Sequence, residues 1–205
     1  MKKIAISMGQ EFIKERNETR DFIDAKLIEF LKKCFNCDIF LINNFFYKKS
    51  IIRPKELSNF LNRHNINVII LTGGQNYGDN KLRDSTEVHL IKHALKKNIS
   101  LVGICRGMQV INLFFNGKLK SIKNHVRTKN TIVSKNGKKL RKIKCFHGNG
   151  IKKLGKNLEE IYKSIDGEIE AFQHVKKKIL GIMWHPERNK YFKNNDLNLF
   201  KKFLS

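Results

Sequence analysis

Ser100-Leu101-Val102-Gly103-Ile104-Cys105-Arg106-Gly107-Met108-Gln109-Val110-Ile111-Asn112 is the stretch on which the reading of this chain turns. An apolar strand runs into a Gly-x-Cys-x-Gly turn and passes straight into a helical pattern. A cysteine at such a turn is held out at the carboxyl edge of a sheet, the cysteine form of a nucleophile elbow. The glycines follow from close packing: strand and helix approach so tightly that side chains two positions either side of the nucleophile would collide. The helix N-terminus favours thiolate over thiol at Cys105, and the amide of Arg106 is placed to hold an oxyanion. The bland alternative, a small buried hydrophobe closing a strand, is common for free cysteine. Two glycines in register speak against it.

Outward from this segment, short apolar runs alternate with helical patterns, the rhythm of an α/β protein with a mostly parallel central sheet flanked by helices. Residues 3–8, 38–42, 67–71 and 99–104 read as strands. Residues 20–33, with Phe22, Ile23, Leu27, Phe30 and Leu31, and residues 85–97, with Val88, Ile91, Ala94 and Leu95, read as helices. Pro54 suits the first turn of a third helix running to about Arg63. The second half changes character. Residues 129–134 and 139–145 flank Asn136-Gly137, a hairpin dipeptide, and residues 168–174 and 178–184 form a further pair. Antiparallel strands are therefore expected beside the parallel core, with a closing amphipathic helix at 196–204 and one domain over residues 1–205.

A cysteine nucleophile requires a base and a group to orient it. Gly181-Ile182-Met183-Trp184-His185-Pro186-Glu187 delivers a histidine at a strand end, with Glu187 close enough to hold the imidazole tautomer that accepts a thiol proton. Pro186 stiffens the turn. Val68-Ile69-Ile70-Leu71-Thr72-Gly73-Gly74 is a buried strand ending in two glycines, which allow a backbone to approach a carbonyl and present an amide to its oxyanion. Taken alone, that piece reads equally as an ordinary tight turn.

Together, Thr72-Gly73-Gly74, the Cys105 segment and Trp184-His185-Pro186-Glu187 resemble the class I glutamine amidotransferase superfamily, nearest to its free-standing peptidase C26 or γ-glutamyl-GABA hydrolase branch. Arg83-Asp84 with Glu87 resembles that branch's Arg-Asp-x-x-Glu, and Cys145-Phe146-His147-Gly148-Asn149 its Ser-Phe/Tyr-His-x-Gln substrate loop. The resemblance implies a flavodoxin-like fold. It further implies Cys105 as nucleophile on a γ-glutamyl carbonyl, His185 as base and then acid, and Glu187 as its orienter. Gly73 and Gly74 would lie against the substrate, with the amides of Gly74 and Arg106 forming the oxyanion hole. Gln109, Phe146 and His147 would face the glutamyl moiety, and water would release glutamate from the thioester. Asn116, Met183 and Asn149 depart from the family's pattern on the leaving-group side, which bears on the substrate rather than the chemistry. A stand-alone hydrolase and a glutaminase subunit feeding ammonia to a synthase are both compatible with these motifs, and a protein partner is not readable from them.

Composition bounds the rest. Apolar residues make up 40% and charged residues 29%, a globular balance. The net charge of +24 invites a nucleic-acid reading, but the lysines are spread along the chain without aromatic interleaving, so attraction of a small anionic or nucleotide-linked γ-glutamyl substrate is the better use of the charge. The apolar start after Met1-Lys2-Lys3 is too short for a signal peptide, and no run reaches the ~18 residues of a membrane span. Four cysteines at unrelated spacings suit a reducing compartment, the cytoplasm. Cys34-Phe-Asn-Cys37 has metal or redox spacing but no second pair near it, and Cys145 lacks an elbow. His64, His89, His93, His125 and His174 read as solvated or structural, with His125 and Arg127 also able to contact an anionic substrate. No metal and no cofactor is called for.

Overall fold

Strands apolar on both faces need a layer of helices on each side. The computed structural model describes residues 1–44 and 54–204. The chain runs through β1 (Lys2–Ser7), β2 (Gly9–Ile13), β3 (Glu18–Phe22), α1 (Ala25–Cys34), β4 (Cys37–Ile42), α2 (Pro54–Arg63), β5 (Val68–Leu71), α3 (Lys81–Lys97) and β6 (Ser100–Ile104). It continues with α4 (Arg106–Phe114), β7 (Lys118–Ser121), β8 (Val126–Ser134), β9 (Lys139–Phe146), β10 (Asn149–Lys153), β11 (Leu158–Ser164), β12 (Ile169–His174), β13 (Ile179–Ile182) and α5 (Asn194–Leu204).

A 9-stranded sheet in the order β4-β1-β5-β6-β13-β12-β11-β8-β9 forms the body. Its first part is parallel from β4 through β13, and from β13 to β9 every pairing is antiparallel. The parallel part thus has flavodoxin-like order, with its topological switch between β1 and β5. Two short antiparallel ribbons, β2-β3 and β7-β10, stand outside the sheet.

The period of two along each strand sorts the core into two layers. Ile4, Ile6, Val68, Ile70, Val102 and Ile104 pack with Leu27, Phe30 and Leu31 of α1 and Phe200 and Leu204 of α5. Ala5, Ile69, Leu71 and Leu101 face the other way, against Leu57 and Leu61 of α2, Leu90 and Ile91 of α3, and Met108 and Ile111 of α4. Each such side chain, fully buried, contributes about 1.5–3 kcal/mol from area removed from water.

One expectation fails and others shift. Residues 20–33 do not form one helix: Arg20 and Phe22 pair with Glu11 and Gly9 across the β2-β3 ribbon, and the helix starts at Ala25. The reason is local, since the Asp24 carboxylate accepts from the Lys26 amide at 2.9 Å and caps a new start. Asn80 does the same for α3, accepting from the Arg83 amide at 3.0 Å and starting that helix earlier than the apolar spacing indicated. The half-exposed strands β2, β7, β10 and β11 carry too few apolar residues to announce themselves. The 134–138 turn forms as expected, with Gly137 at φ 79° and its amide donating to Ser134 O at 2.9 Å.

Candidate active site

Three neighbouring parallel strands end together. Leu71 of β5 pairs with Gly103 of β6, and Ile104 of β6 pairs with Ile182 of β13, so Thr72-Gly73-Gly74, Cys105 and His185 leave the same carboxyl edge. This is the edge where open α/β sheets carry their ligands.

Cys105 sits at φ 51°, ψ −105°, a backbone conformation that costs a non-glycine residue of order 1–3 kcal/mol and is held only by its surroundings. Its amide donates to Ile182 O at 2.7 Å, and its carbonyl accepts from the Gln109 amide at 3.2 Å. The elbow glycines do what close packing demands. A Cβ on Gly103 would stand 2.5 Å from the Gly107 carbonyl carbon, and one on Gly107 would stand 2.3 Å from Leu71 O. Helix α4 could not otherwise lie this close to β5 and β6.

His185 Nδ1 donates to Glu187 Oε1 at 2.6 Å, and both side chains are buried. Burial alone would lower the His185 pKa, but hydrogen bonds to Cys105 and Glu187 outweigh it and push it up to about 9. The imidazole also lies against Gly73, where a Cβ would come within 2.4 Å of Cε1 and 3.6 Å of the Cys105 Cβ. Phe146 presents its ring to His185 at 5.8 Å between centroids, 84° between planes, and the Arg188 guanidinium stands over Phe146 at 5.0 Å. Trp184 fixes the strand end by donating from Nε1 to Asp196 Oδ1 of α5 at 2.9 Å, and Arg141 pairs with the same carboxylate.

Beneath the Gly73 loop lies a buried ionic floor. Arg83 donates to Gly73 O at 2.7 Å and to Thr72 O at 3.0 Å, and its Nε reaches Glu87 Oε1 at 3.1 Å. The Arg106 guanidinium pairs with both Glu87 and Asp84, so this side chain turns away from the cleft and only its backbone remains for a substrate. Ser7 Oγ donates to Glu87 Oε1 at 2.9 Å and accepts from the Thr72 amide at 3.1 Å. Burial pulls the Arg83 pKa down against the pull of Glu87, and burial pushes the Asp84 carboxyl up despite the Gly78 amide and Arg106.

Gln109 Nε2 donates to Asn149 O at 3.1 Å and touches Met183 Sδ at 3.6 Å, so two of the residues that depart from the family's pattern meet at this side chain. His147 turns inward, with Nδ1 3.1 Å from Asn149 O and Nε2 3.7 Å from Glu170 Oε1, rather than toward Cys105. His125 is fully buried and faces Asp166 and Glu170, a structural placement. Burial pushes the Cys145 and Cys34 thiols up to about 12, which removes both as nucleophiles at neutral pH. A cavity of about 190 Å³ beside the cysteine–histidine pair is lined by Gly73, Gly74, His185, Glu187 and Arg188, together with Phe22, Asp24 and Leu27. Phe22, Asp24, Arg188 and Asp196 carried no sequence signal, because only the fold brings them to this edge.

The family model of Peptidase C26 matches residues 53–187. The chain belongs to this family. A "Gamma-glutamyl-CDP-amidate hydrolase" of Campylobacter jejuni is 36% identical over 151 residues, covering 70% of this chain and 72% of that one. The glutamine-hydrolysing component of a GMP synthase from Methanococcus vannielii is 30% identical over 147 residues, covering 68% of this chain and 74% of its own. A solved structure from Thermotoga maritima, titled a glutamine amidotransferase, superposes with a TM-score of 0.62 at 16% identity, covering 99% of this chain and 84% of that one. The peptidase C26 chain is accordingly a hydrolase acting on carbon–nitrogen bonds, on a glutamine amidotransferase fold. No helix among its described residues is long and apolar enough to cross a membrane.

Proposed function

We propose that Cys105, His185 and Glu187 hydrolyse a γ-glutamyl amide through a γ-glutamyl thioester. The observation that carries this reading is the convergence of a strained cysteine at a helix N-terminus with a buried, carboxylate-held histidine at the same sheet edge. The Cys105 thiolate attacks the γ-carbonyl, and the amides of Gly74 and Arg106 receive the oxyanion. His185 then hands its proton to the departing nitrogen, and in the second half takes one from water as the thioester is hydrolysed to glutamate. Gln109 and Phe146 border the bound glutamyl group. The chemistry uses no metal or cofactor, and the compartment that suits a free cysteine nucleophile is the cytoplasm.

The substrate we infer is γ-glutamyl-CDP-amidate, giving cytidine diphosphoramidate and glutamate, a reaction of capsule biogenesis. Two features support it: the similarity to the Campylobacter jejuni hydrolase, and a surface hollow of about 510 Å³ on β8, β9 and the segment after Arg188. Lys129, Lys142, Lys144, Lys190 and Lys193 line that hollow without a carboxylate, a setting for a diphosphate. A phosphoramidate nitrogen is less basic than ammonia and leaves more readily. The test compares kcat/KM for γ-glutamyl-CDP-amidate, γ-glutamyl-GABA and glutamine at low and moderate salt. A preference for the nucleotide conjugate that weakens with salt is expected, since ions shorten the reach of the field to about 8 Å at physiological strength. Equal rates on all three, or a preference for γ-glutamyl-GABA, would remove the nucleotide substrate and leave the cysteine hydrolase standing. The similarity to the glutamine-hydrolysing component of a GMP synthase favours the second reading, ammonia delivery to a synthase, which predicts glutamine as the preferred substrate.

A further inference from the structure

Four side chains that the proposed reaction leaves unused converge behind the Phe146 loop. His125, Cys145, His147 and Glu170 are all buried, and each turns one metal-competent atom into a cluster whose members lie within 4.8 Å of one another. His125 Nδ1 is 3.2 Å from Glu170 Oε1, and His147 Nε2 is 3.7 Å from the same oxygen.

The outer partners are those of ligating imidazoles. His125 Nε2 is held by Asp166 Oδ2 at 2.8 Å, and His147 Nδ1 faces the Asn149 carbonyl at 3.1 Å, which leaves the second nitrogen of each ring aimed inward. Asn130 Nδ2 stands 3.1 Å and 3.0 Å from the two nitrogens of His125, and so is aligned with neither lone pair. An independent observation points to a ligand. Among the described residues, neither carboxylate oxygen of Glu170 nor His147 Nε2 has a partner in hydrogen-bonding geometry, although Glu170 is fully buried. A buried carboxylate in that condition is costly unless a cation meets it.

We propose that His125 Nδ1, Cys145 Sγ, His147 Nε2 and Glu170 form a closed four-coordinate site for a zinc-class divalent transition ion. One thiolate, two imidazoles and one carboxylate suit zinc or cobalt(II) rather than magnesium or calcium. Ligands at zinc bond lengths of about 2.0–2.3 Å stand roughly 3.3–3.8 Å apart on a tetrahedron. The pairs at 3.2 and 3.7 Å are near that spacing already, and the widest, at up to 4.8 Å, closes by about 1 Å on binding. Forming the metal–sulfur bond releases the Cys145 proton to solvent, and thiolate and carboxylate together balance the ion's two charges. The ion would tie the end of β9 to β12 and so fix Phe146, whose ring meets His185. The ligands lie far apart in sequence, which is why no spacing motif announced them.

The test uses a Cys34→Ser, Cys37→Ser, Cys105→Ser chain, in which Cys145 is the remaining thiol of the four cysteines. Metal-stripped protein is titrated with cobalt(II). One equivalent should bind with tetrahedral d–d bands and a thiolate-to-cobalt charge-transfer band, both displaced by zinc. Asp166→Asn, at a half-exposed carboxylate, should weaken cobalt binding about 10–100-fold while the far-ultraviolet dichroism stays native. If the triple variant does not fold, the wild-type chain and Cys145→Ser decide the point, since the charge-transfer band must vanish with Cys145. A folded chain that takes up no cobalt, a band that survives Cys145→Ser, or unchanged affinity in Asp166→Asn would overturn the site and leave an imidazolium–carboxylate network in its place.

Discussion

Replacing Glu187 by glutamine keeps the shape of the side chain and removes the charge on which His185 leans. The imidazole is pushed up to about 9 from an ordinary 6.5, against the opposing effect of burial. At 1.36 kcal/mol per unit this displacement amounts to roughly 3 kcal/mol in favour of imidazolium. Cys105 and Glu187 share it, so losing the carboxylate at 2.6 Å should lower the His185 pKa by about 1–2 units. The sign is set by the raised value: the wild-type imidazolium keeps its proton until pH climbs through about 9, and the alkaline limb of kcat/KM lies there. In Glu187→Gln that limb should move down, and kcat/KM at neutral pH should fall about 10–100-fold. Two assays read the same group, glutamate release against pH and the rate of Cys105 alkylation by iodoacetamide against pH, the second independent of any substrate. An apparent pKa unchanged within about 0.3 unit, with kcat/KM within about twofold of wild type, would refute the reasoning.

Cys105→Ala should fold normally and reduce turnover to below about a thousandth of wild type, measured as glutamate release with a native dichroism spectrum as control; retained activity would remove the nucleophile. Gly107→Ala places a methyl 2.3 Å from Leu71 O, a backbone atom that cannot step aside, so stability in urea should fall by about 3 kcal/mol or more. Glu87→Leu leaves the buried guanidinium groups of Arg83 and Arg106 without their shared carboxylate and should cost about 3–5 kcal/mol by the same measurement.

The proposed triad was legible because each member sits beside a local signal. Cys105 lies between glycines that only a strand–helix elbow requires, and His185-Pro186-Glu187 closes an apolar run that reads as a buried strand. The parallel core was legible for a similar reason, since strands buried on both faces are continuous apolar runs bounded by turns. Residues 20–22 misled because Phe22 and Ile23 fall at helical spacing, whereas the partner strand β2 that claims Arg20 and Phe22 is itself polar and half exposed. Local pattern could not weigh a pairing across a ribbon.

What the sequence by itself determined is the set of strands and helices that bury apolar faces, and the chemistry carried by Cys105, His185 and Glu187, because burial period and turn residues are properties of neighbouring positions. Tertiary structure alone decided that β13 lies beside β6 and delivers His185 to Cys105. It also decided that Arg83, Asp84, Glu87 and Arg106 form a floor under the site rather than a surface for substrate. His125, Cys145, His147 and Glu170 likewise meet only in the fold. These are contacts between residues far apart along the chain, and their partners are chosen by strand order and packing, which no local window of sequence records.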